Sequence, residues 1–415
     1  MAETRSGRLV SLDAFRGLIM LTLAGSGFGL HDLAKAKLAD NGPSRIWEFV
    51  KFQTDHPDWV SNFGPAGTSS LSASLREKAP FGVCYWDLIQ PSFMFMVGVA
   101  MPFSYAKRLN QGDTFWKMAR HAFFRSWILI LLGVFLSSAY AKQTDWTFVN
   151  VLTQIGLGYF FVFLLLGRPT GVQALVAVAV LIGYWTCFVL YPTPGAVSFA
   201  DHFAKNANAA WAFDTRFLNW FPRPKLFEEN SGGYCTLNFV PSMVTILMGV
   251  MSGQLLQSKR GSWTKVWILV ASGAVCMVLA LAAGHYVCPI VKRIWTPSWV
   301  LFSGAYVLWI LAAFYALVDA IGLKFWTYPL VVLGANSILL YVMDQLLKGW
   351  TKSQLLIHFG NWERHWTLFG YQIDLNYRTF MTEGPYSHVW SACSVMLVFW
   401  LICLWLYRQQ TFVRI

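Results

Sequence analysis

The apolar positions of this chain fall into long runs that are separated by shorter polar stretches. A run of about 20 apolar residues is what an α-helix needs to cross the hydrocarbon core of a bilayer. The pattern therefore predicts an all-α fold, a polytopic transmembrane bundle of ten or eleven helices that forms a single domain over residues 1–415. The predicted spans are 9–30, 84–105, 121–140, 147–167, 171–191, 237–257, 265–287, 297–319, 326–347 and 386–407.

Basic residues in the short loops predict the orientation of the bundle. If the amino terminus is cytoplasmic, most short-loop Lys and Arg, among them Lys107 and Arg108, lie inside. The short loops on the outside then hold only Lys142, Lys292 and Arg293. Because cytoplasmic loops carry an excess of Lys and Arg, this asymmetry favours both termini inside.

Three long loops then face outward, at 31–83, 192–236 and 348–385. They contain Pro, Gly, Trp and charged residues, so we expect them to be partly structured. Loops of this length indicate either recognition of a ligand on the outer side or mere decoration of a helical bundle.

The amino-acid composition excludes an ordinary soluble protein. The 415 residues are 56% hydrophobic and 13% charged, whereas ordinary soluble domains carry about 25% charged residues. The net charge of +12 follows from the basic cytoplasmic loops and does not indicate a nucleic-acid partner. The seven cysteines form no CxxC pair or Cys/His cluster, so no metal is expected.

Polar residues inside the predicted spans are candidates for function because burying them in a bilayer is costly. Asp13 and Arg16 share a face of the first helix, where they either form an ion pair that anchors the helix start or hold an anionic ligand at the cytoplasmic mouth. Asp87 opens the second helix either as a site carboxylate or as a helix cap. Asn238 and Asn336 lie in the sixth and ninth spans, as interhelical hydrogen-bonding groups or as ligands of a polar substrate.

One histidine is distinguished by its neighbours. His56 lies in FQTDHPDWV, between Asp55 and Asp58 and close to Trp59. Nearby carboxylates fix the tautomer of an imidazole or raise its basicity, which suits a general base. The alternative is a solvated loop histidine without a role.

Five segments together resemble one known family. They are RLVSLDAFRGL, CYWDLIQPSFMFMVGVAMPFS, TLNFVPSMVTILMGVMSGQLL, VKRIWTPSWVLFSGAY and YPLVVLGANSILLYVM, in this order along nearly the whole chain. In these segments the chain resembles a bacterial member of the heparan-alpha-glucosaminide N-acetyltransferase family, which implies a multi-pass protein of the inner (plasma) membrane.

The resemblance also implies an activity. An acetyl group from cytoplasmic acetyl-CoA would pass to the amine of an amino sugar or another glycan on the periplasmic side. His56, with Trp59, best matches the family's catalytic histidine, and Asp87 would orient it. Arg16, Lys107, Arg108 and Asn238 would bind the donor, with the basic side chains placed for its phosphates.

The sequence departs from the family pattern at two places. About two dozen residues, 60–83, separate the His56 motif from the second helix, and we interpret them as an insertion. The family's asparagine late in the first helix falls at Ser26 or Gly27. A second polar group would then polarise the thioester, and Asn336 is our candidate.

Several alternatives stay open at the level of sequence. A transporter or permease would need no His56, and an inactive membrane scaffold would be compatible with the missing asparagine. Direct acetyl transfer and an acetyl-histidine intermediate are equally compatible with the residues. The expected partners are acetyl-CoA, the amino sugar or glycan acceptor, the lipid bilayer and a second copy of the chain in a homodimer.

Overall fold

The computed structural model describes residues 9–56, 83–368 and 371–413, and its secondary structure is overwhelmingly helical. Within these residues, seven helices are long and apolar enough to cross a membrane. The number rises to nine if each of two sharply bent helix pairs counts as one span. The prediction of an all-α polytopic membrane bundle is confirmed.

The described elements comprise fifteen helices and one short antiparallel hairpin. In chain order they are α1 Val10–Ala24, α2 Leu30–Asn41, α3 Arg45–Gln53, α4 Tyr85–Asn110, α5 Phe115–Ser138, α6 Val151–Phe163, α7 Thr170–Leu190, α8 Ala209–Phe217, α9 Phe239–Gln257, α10 Ser262–Tyr286, α11 Pro297–Phe314, α12 Tyr328–Ala335, α13 Ser337–Phe359, β1 Glu363–Leu368, β2 Tyr371–Asn376, α14 Tyr377–Thr382 and α15 Ser387–Arg408.

The helices differ from the ten predicted spans in two ways. The run at 147–167 forms only the 13-residue helix α6, about 20 Å long at 1.5 Å per residue, which is shorter than a bilayer core. The first and ninth spans are broken. α1 and the segment Ser26–Asn41 meet at 51°, and α12 and α13 meet at 78°.

Contacts between residues divide the chain into two compact units. The described part of the first unit is 9–56, 83–89 and 317–413, and the second unit is 90–316. The single-domain organisation predicted from the sequence stays a prediction.

Glycines allow helix backbones to approach closely inside each unit. In the first unit, a Cβ on Gly17 would lie 1.9 Å from the Leu330 carbonyl oxygen, so α1 and α12 are in backbone contact. In the second unit, a Cβ on Gly249 would lie 2.1 Å from the Phe95 carbonyl oxygen. Small residues at helix interfaces commonly permit such packing in membrane proteins.

The loop at 192–236 is structured, as expected, and contains a buried carboxyl group. Asp214 on α8 is 1% exposed, and its Oδ2 accepts a hydrogen bond from the Thr236 backbone N–H at 2.8 Å. Burial raises the pKa of Asp214 from 3.8 to about 6, although the Thr236 hydrogen bonds and Arg223 oppose this shift.

We expect Asp214→Asn to change how stability depends on pH. The raised pKa means that the folded protein holds this proton more tightly than the unfolded chain does. The contribution of Asp214 to stability is therefore greatest below pH 4 and falls by about 2–3 kcal/mol as the pH rises through about 6. The Asn variant should lack this fall, so thermal midpoints in detergent at pH 4.5 and 7.5 should differ less than in the wild type. Equal pH dependence in both proteins would contradict the assignment.

Candidate active site

A histidine and a carboxylate meet at the amino-terminal end of α4. The Nδ1 atom of His56 lies 2.8 Å from Oδ1 of Asp87, a hydrogen bond between residues 31 positions apart in the sequence. The Asp87 side chain is 9% exposed, whereas that of His56 is 41% exposed. A mostly buried carboxylate therefore holds an imidazole that solvent or a ligand can reach.

Hydrogen bonds join the segment that contains His56 to the segment just before Asp87. Oε1 of Gln53 accepts from the Tyr85 backbone N–H at 2.8 Å, and its Nε2 donates to the Val83 carbonyl at 3.4 Å. The Cys84 thiol donates to the backbone oxygen of Asp55. The end of α3 is thus tied to the start of α4, which brings His56 to Asp87. Trp59 and residues 60–82 of the predicted insertion at 60–83 lie outside the described residues.

A left-handed turn lies next to the pair. Ser26, Gly27, Phe28 and Gly29 have φ values of 47°, 58°, 57° and 66°, a conformation that costs roughly 1–2 kcal/mol for each non-glycine residue. A Cβ on Gly27 would lie 3.3 Å from the ring of Trp86.

Trp86 in turn contacts the imidazole of His56 edge-on, with ring centroids 6.4 Å apart. The strained turn is therefore separated from His56 by one indole ring. Strain of this kind is concentrated at functional sites in proteins.

The acidic residues that flank His56 in sequence do not hold its ring. Asp55 accepts a hydrogen bond from the His56 backbone N–H at 2.7 Å, and its other oxygen lies 3.7 Å from Nε2 of His31. Asp58 lies outside the described residues. The carboxylate that contacts the imidazole of His56 comes from the next helix, and the catalytic role of His56 stays a prediction.

A lysine that the sequence analysis did not select reaches the left-handed turn. The Lys348 ammonium donates to the Ser26 hydroxyl and lies 3.0 Å from Oδ1 of Asp344. Asp344 and Lys348 are four residues apart on α13, a spacing that pairs opposite charges on one helix face. That spacing was the available signal, but Lys348 fell at the edge of a predicted loop.

The structure places Asn336 at the junction of α12 and α13, where it holds the carboxy-terminal segment. Its Nδ2 lies 3.3 Å from the Thr411 carbonyl oxygen, and its Oδ1 accepts from the Val413 backbone N–H at 3.0 Å. Both ends of the amide thus have protein partners, and Asn336 is fully buried. The predicted role in polarising a thioester stays a prediction that these contacts do not favour.

Arg16 lies beside Asp13, as the three-residue spacing predicted. The closest nitrogen–oxygen distance is 3.7 Å, and the guanidinium also lies 3.5 Å from the Gly334 carbonyl oxygen. The Arg16 side chain is 24% exposed. It is therefore partly accessible for an anionic ligand.

The remaining predicted donor-binding residues belong to the second unit. Asn238 is buried and donates to the Arg293 carbonyl oxygen at 2.8 Å. Lys107 is exposed at the end of α4, and Arg108 faces Asp113 at 3.5 Å. Their predicted contacts with the donor stay predictions.

A metal ion in a protein is usually held by several His, Cys, Asp or Glu side chains that lie close together. Within 9–56, 83–368 and 371–413, no group of three or more His, Cys, Asp or Glu is placed to hold a metal ion. The hydrogen-bonded imidazole and carboxylate of His56 and Asp87 have the composition of a proton-transfer site.

Together, the fold and this pair define a multi-pass helical membrane protein with a histidine–aspartate dyad at the start of one span. Two curated proteins are similar to it, both named heparan-alpha-glucosaminide N-acetyltransferase. The Mus musculus protein is 24% identical over 405 residues, which is 84% of this chain and 55% of the relative. The Homo sapiens protein is 23% identical over 399 residues, which is 83% of this chain and 53% of the relative.

The chain thus spans about half the length of the curated relatives it matches. No family model matches it. The similarity supports a distant relationship to an acyltransferase.

Proposed function

We propose that this protein is a membrane acetyltransferase of the bacterial inner membrane. It takes an acetyl group from acetyl-CoA at the cytoplasmic face and passes it to an amino sugar or another glycan on the periplasmic side. The observation that carries the proposal is the hydrogen bond between His56 and Asp87. The distant similarity to N-acetyltransferases supports the reaction class.

The dyad supplies the base that this reaction needs. A carboxylate that accepts a hydrogen bond from Nδ1–H fixes the tautomer in which Nε2 is the basic nitrogen. The neutral amine of the acceptor attacks the thioester carbon, and Nε2 takes a proton from its nitrogen as the C–N bond forms. The C–S bond breaks, and the departing CoA thiolate receives that proton from the imidazolium. In the variant with an acetyl-histidine, Nε2 itself attacks the thioester and the C–S bond breaks to release CoA; the amine then takes the acetyl group as the bond between the acetyl carbon and Nε2 breaks.

The geometry of α1 suits a donor that lies along it. Arg16 lies eight residues before Ala24, the last residue of α1, which is about 12 Å at 1.5 Å per residue, and the left-handed turn follows. The phosphates of CoA would lie at Arg16 and the thioester at the left-handed turn beside His56. There the Lys348 ammonium and the Ser26 hydroxyl offer donors to the developing oxyanion, at the position where the family asparagine is missing.

The acceptor must carry an amine, because the base takes a proton from the attacking nitrogen. The name of the two relatives refers to heparan. For a bacterial protein we propose instead a cell-wall or scavenged polysaccharide that carries an amine. A homodimer stays a prediction.

Transfer of radiolabel from acetyl-CoA to glucosamine by the purified full chain in detergent tests the proposal. We expect labelled N-acetylglucosamine, and we expect acetyl-CoA to raise the thermal midpoint because a ligand of the native state stabilises it. If acetyl-CoA neither donates its label nor shifts the midpoint, the acetyltransferase proposal is wrong and a transporter or scaffold becomes the better interpretation.

Asp87→Asn is expected to lower kcat by about 10²-fold, because the amide no longer enforces the tautomer of His56. KM for acetyl-CoA should stay within about twofold, since Asp87 does not contact the donor in this account. Asp87→Glu serves as the conservative control and should recover part of kcat. A parallel loss in Asp87→Asn and Asp87→Glu, together with a lowered thermal midpoint, would indicate a structural role instead.

A further inference from the structure

A half-open cavity lies within the second unit where the ends of three helices meet. It is formed by the carboxy-terminal part of α4, the first turns of α5 and the last turns of α6. Its walls combine apolar side chains such as Met101, Met118 and Phe163 with a group of basic and polar residues. The proposed acetyl transfer uses no part of this cavity except Arg108, whose contact with the donor is only predicted.

The polar wall of the cavity is cationic. Arg108, His121 and Arg125 line it, together with the hydroxyl-bearing Ser104 and Tyr105. None of the lining residues identified in this part of the chain is acidic.

The acid nearest to this wall lies in the turn after α4. Asp113 faces the Arg108 guanidinium at 3.5 Å and also pairs with the Lys117 ammonium. Lys117 first, and Arg108 after it, hold the pKa of Asp113 below its usual value. The local field at this end of the helices is therefore positive.

Arg125 distinguishes this cavity from an ordinary basic loop. Its guanidinium lies over the ring of Tyr159, 4.9 Å from the centroid, and is half-buried among apolar residues of α5. Its Nε atom is buried and has no hydrogen-bond partner among the described residues. The excess of basic residues in cytoplasmic loops does not require an arginine at this depth, and an unsatisfied guanidinium nitrogen is costly there.

We propose that this cavity binds a phosphate group, with Arg125 and Arg108 as its principal ligands and with His121 and Tyr105 as further donors. Arginine forks match phosphate oxygens in pairs, and the apolar wall would accommodate the carbon skeleton that bears the phosphate. The phosphate belongs either to the headgroup of an anionic phospholipid, which the predicted cytoplasmic face would offer, or to a soluble phosphate ester. The proposal holds whether or not the protein transfers acetyl groups.

Thermal unfolding of the purified full chain in a non-ionic detergent tests this site. The probes are a short-chain phosphatidylglycerol and inorganic pyrophosphate, with a short-chain phosphatidylcholine as the zwitterionic reference. We expect at least one anionic probe to raise the thermal midpoint in a saturable way. A response to phosphatidylglycerol alone assigns the site to a lipid, and a response to pyrophosphate assigns it to a soluble phosphate.

Arg125→Gln should raise the apparent Kd of the active probe about tenfold or more, because it removes a charge-assisted pair of hydrogen bonds. Arg120→Gln is the matched control. It removes the same charge from an exposed position of α5 that does not line the cavity, and its Kd should stay close to that of the wild type. If Arg125→Gln does not fold, Arg108→Gln replaces it in the same comparison.

Two results would overturn the proposal. One is the absence of any midpoint shift with both anionic probes. The other is an equal loss of affinity in Arg120→Gln and in the cavity variant, since that would show only a general attraction of anions to the basic end of the helices.

Discussion

His56→Ala should reduce acetyl transfer by about 10³-fold or more. General-base catalysis contributes about 10²–10⁴-fold to rates of this kind, and a methyl group leaves no ring nitrogen to accept the proton. Binding of acetyl-CoA should survive, because the phosphate end of the donor lies at Arg16 in this account. The measurement is label transfer to glucosamine, combined with the midpoint shift that acetyl-CoA produces.

His31→Ala is the matched control for this variant. His31 lies in the same unit and faces Asp55 at 3.7 Å, but it is not hydrogen-bonded to Asp87 in the dyad. It should keep most of the activity. Retention of wild-type transfer by His56→Ala would move the base elsewhere and would invalidate the proposed mechanism.

Gly334→Ala is expected to destabilise the first unit strongly. The added Cβ would lie 2.0 Å from the carbonyl oxygen of Asp13, and the obstacle is backbone, which cannot rotate away. α1 and α12 would have to separate, at a cost of about 3 kcal/mol or more. The thermal midpoint in detergent should fall by several degrees, and Asp13 and Arg16 would move with α1.

Gly349→Ala provides the control for this packing argument. Gly349 is also helical and belongs to the same unit, but a Cβ there would meet nothing within 4 Å. Alanine is a better helix former than glycine by about 0.5–1 kcal/mol, so this variant should be as stable as the wild type or slightly more stable. Equal destabilisation in the two variants would contradict the close contact of α1 with α12.

Hydropathy along the chain predicted most of the fold because each span must be apolar over its length. It could not predict the break in the first span, since Ser26 and Phe28 in a left-handed turn leave no hydropathy signal. Hydropathy also could not predict that the run at 147–167 forms only the short helix α6. Leu164, Leu165 and Leu166 continue the apolar run beyond the end of α6, although Leu164 is 40% exposed and only Leu166 of the three is buried.

The sequence could predict only part of the candidate site. His56 stood out through its neighbours, but its pairing with Asp87 depends on hydrogen bonds that join the end of α3 to the start of α4. Asn336 was a reasonable candidate for an active-site amide, and only its contacts with the carboxy-terminal segment argue against that use. Lys348 was missed because its partner Ser26 is 322 residues away.

In the proposed mechanism His56 and Asp87 act as one catalytic unit, and a comparison of single and double variants tests whether they do. Transfer rates would be measured for His56→Ala, Asp87→Asn and the combined variant under identical conditions. If the two residues form a unit, the combined variant should be no more than about threefold slower than His56→Ala alone, because effects within a unit are not additive. A combined loss equal to the product of the two single losses would show that the residues act independently and would contradict the account.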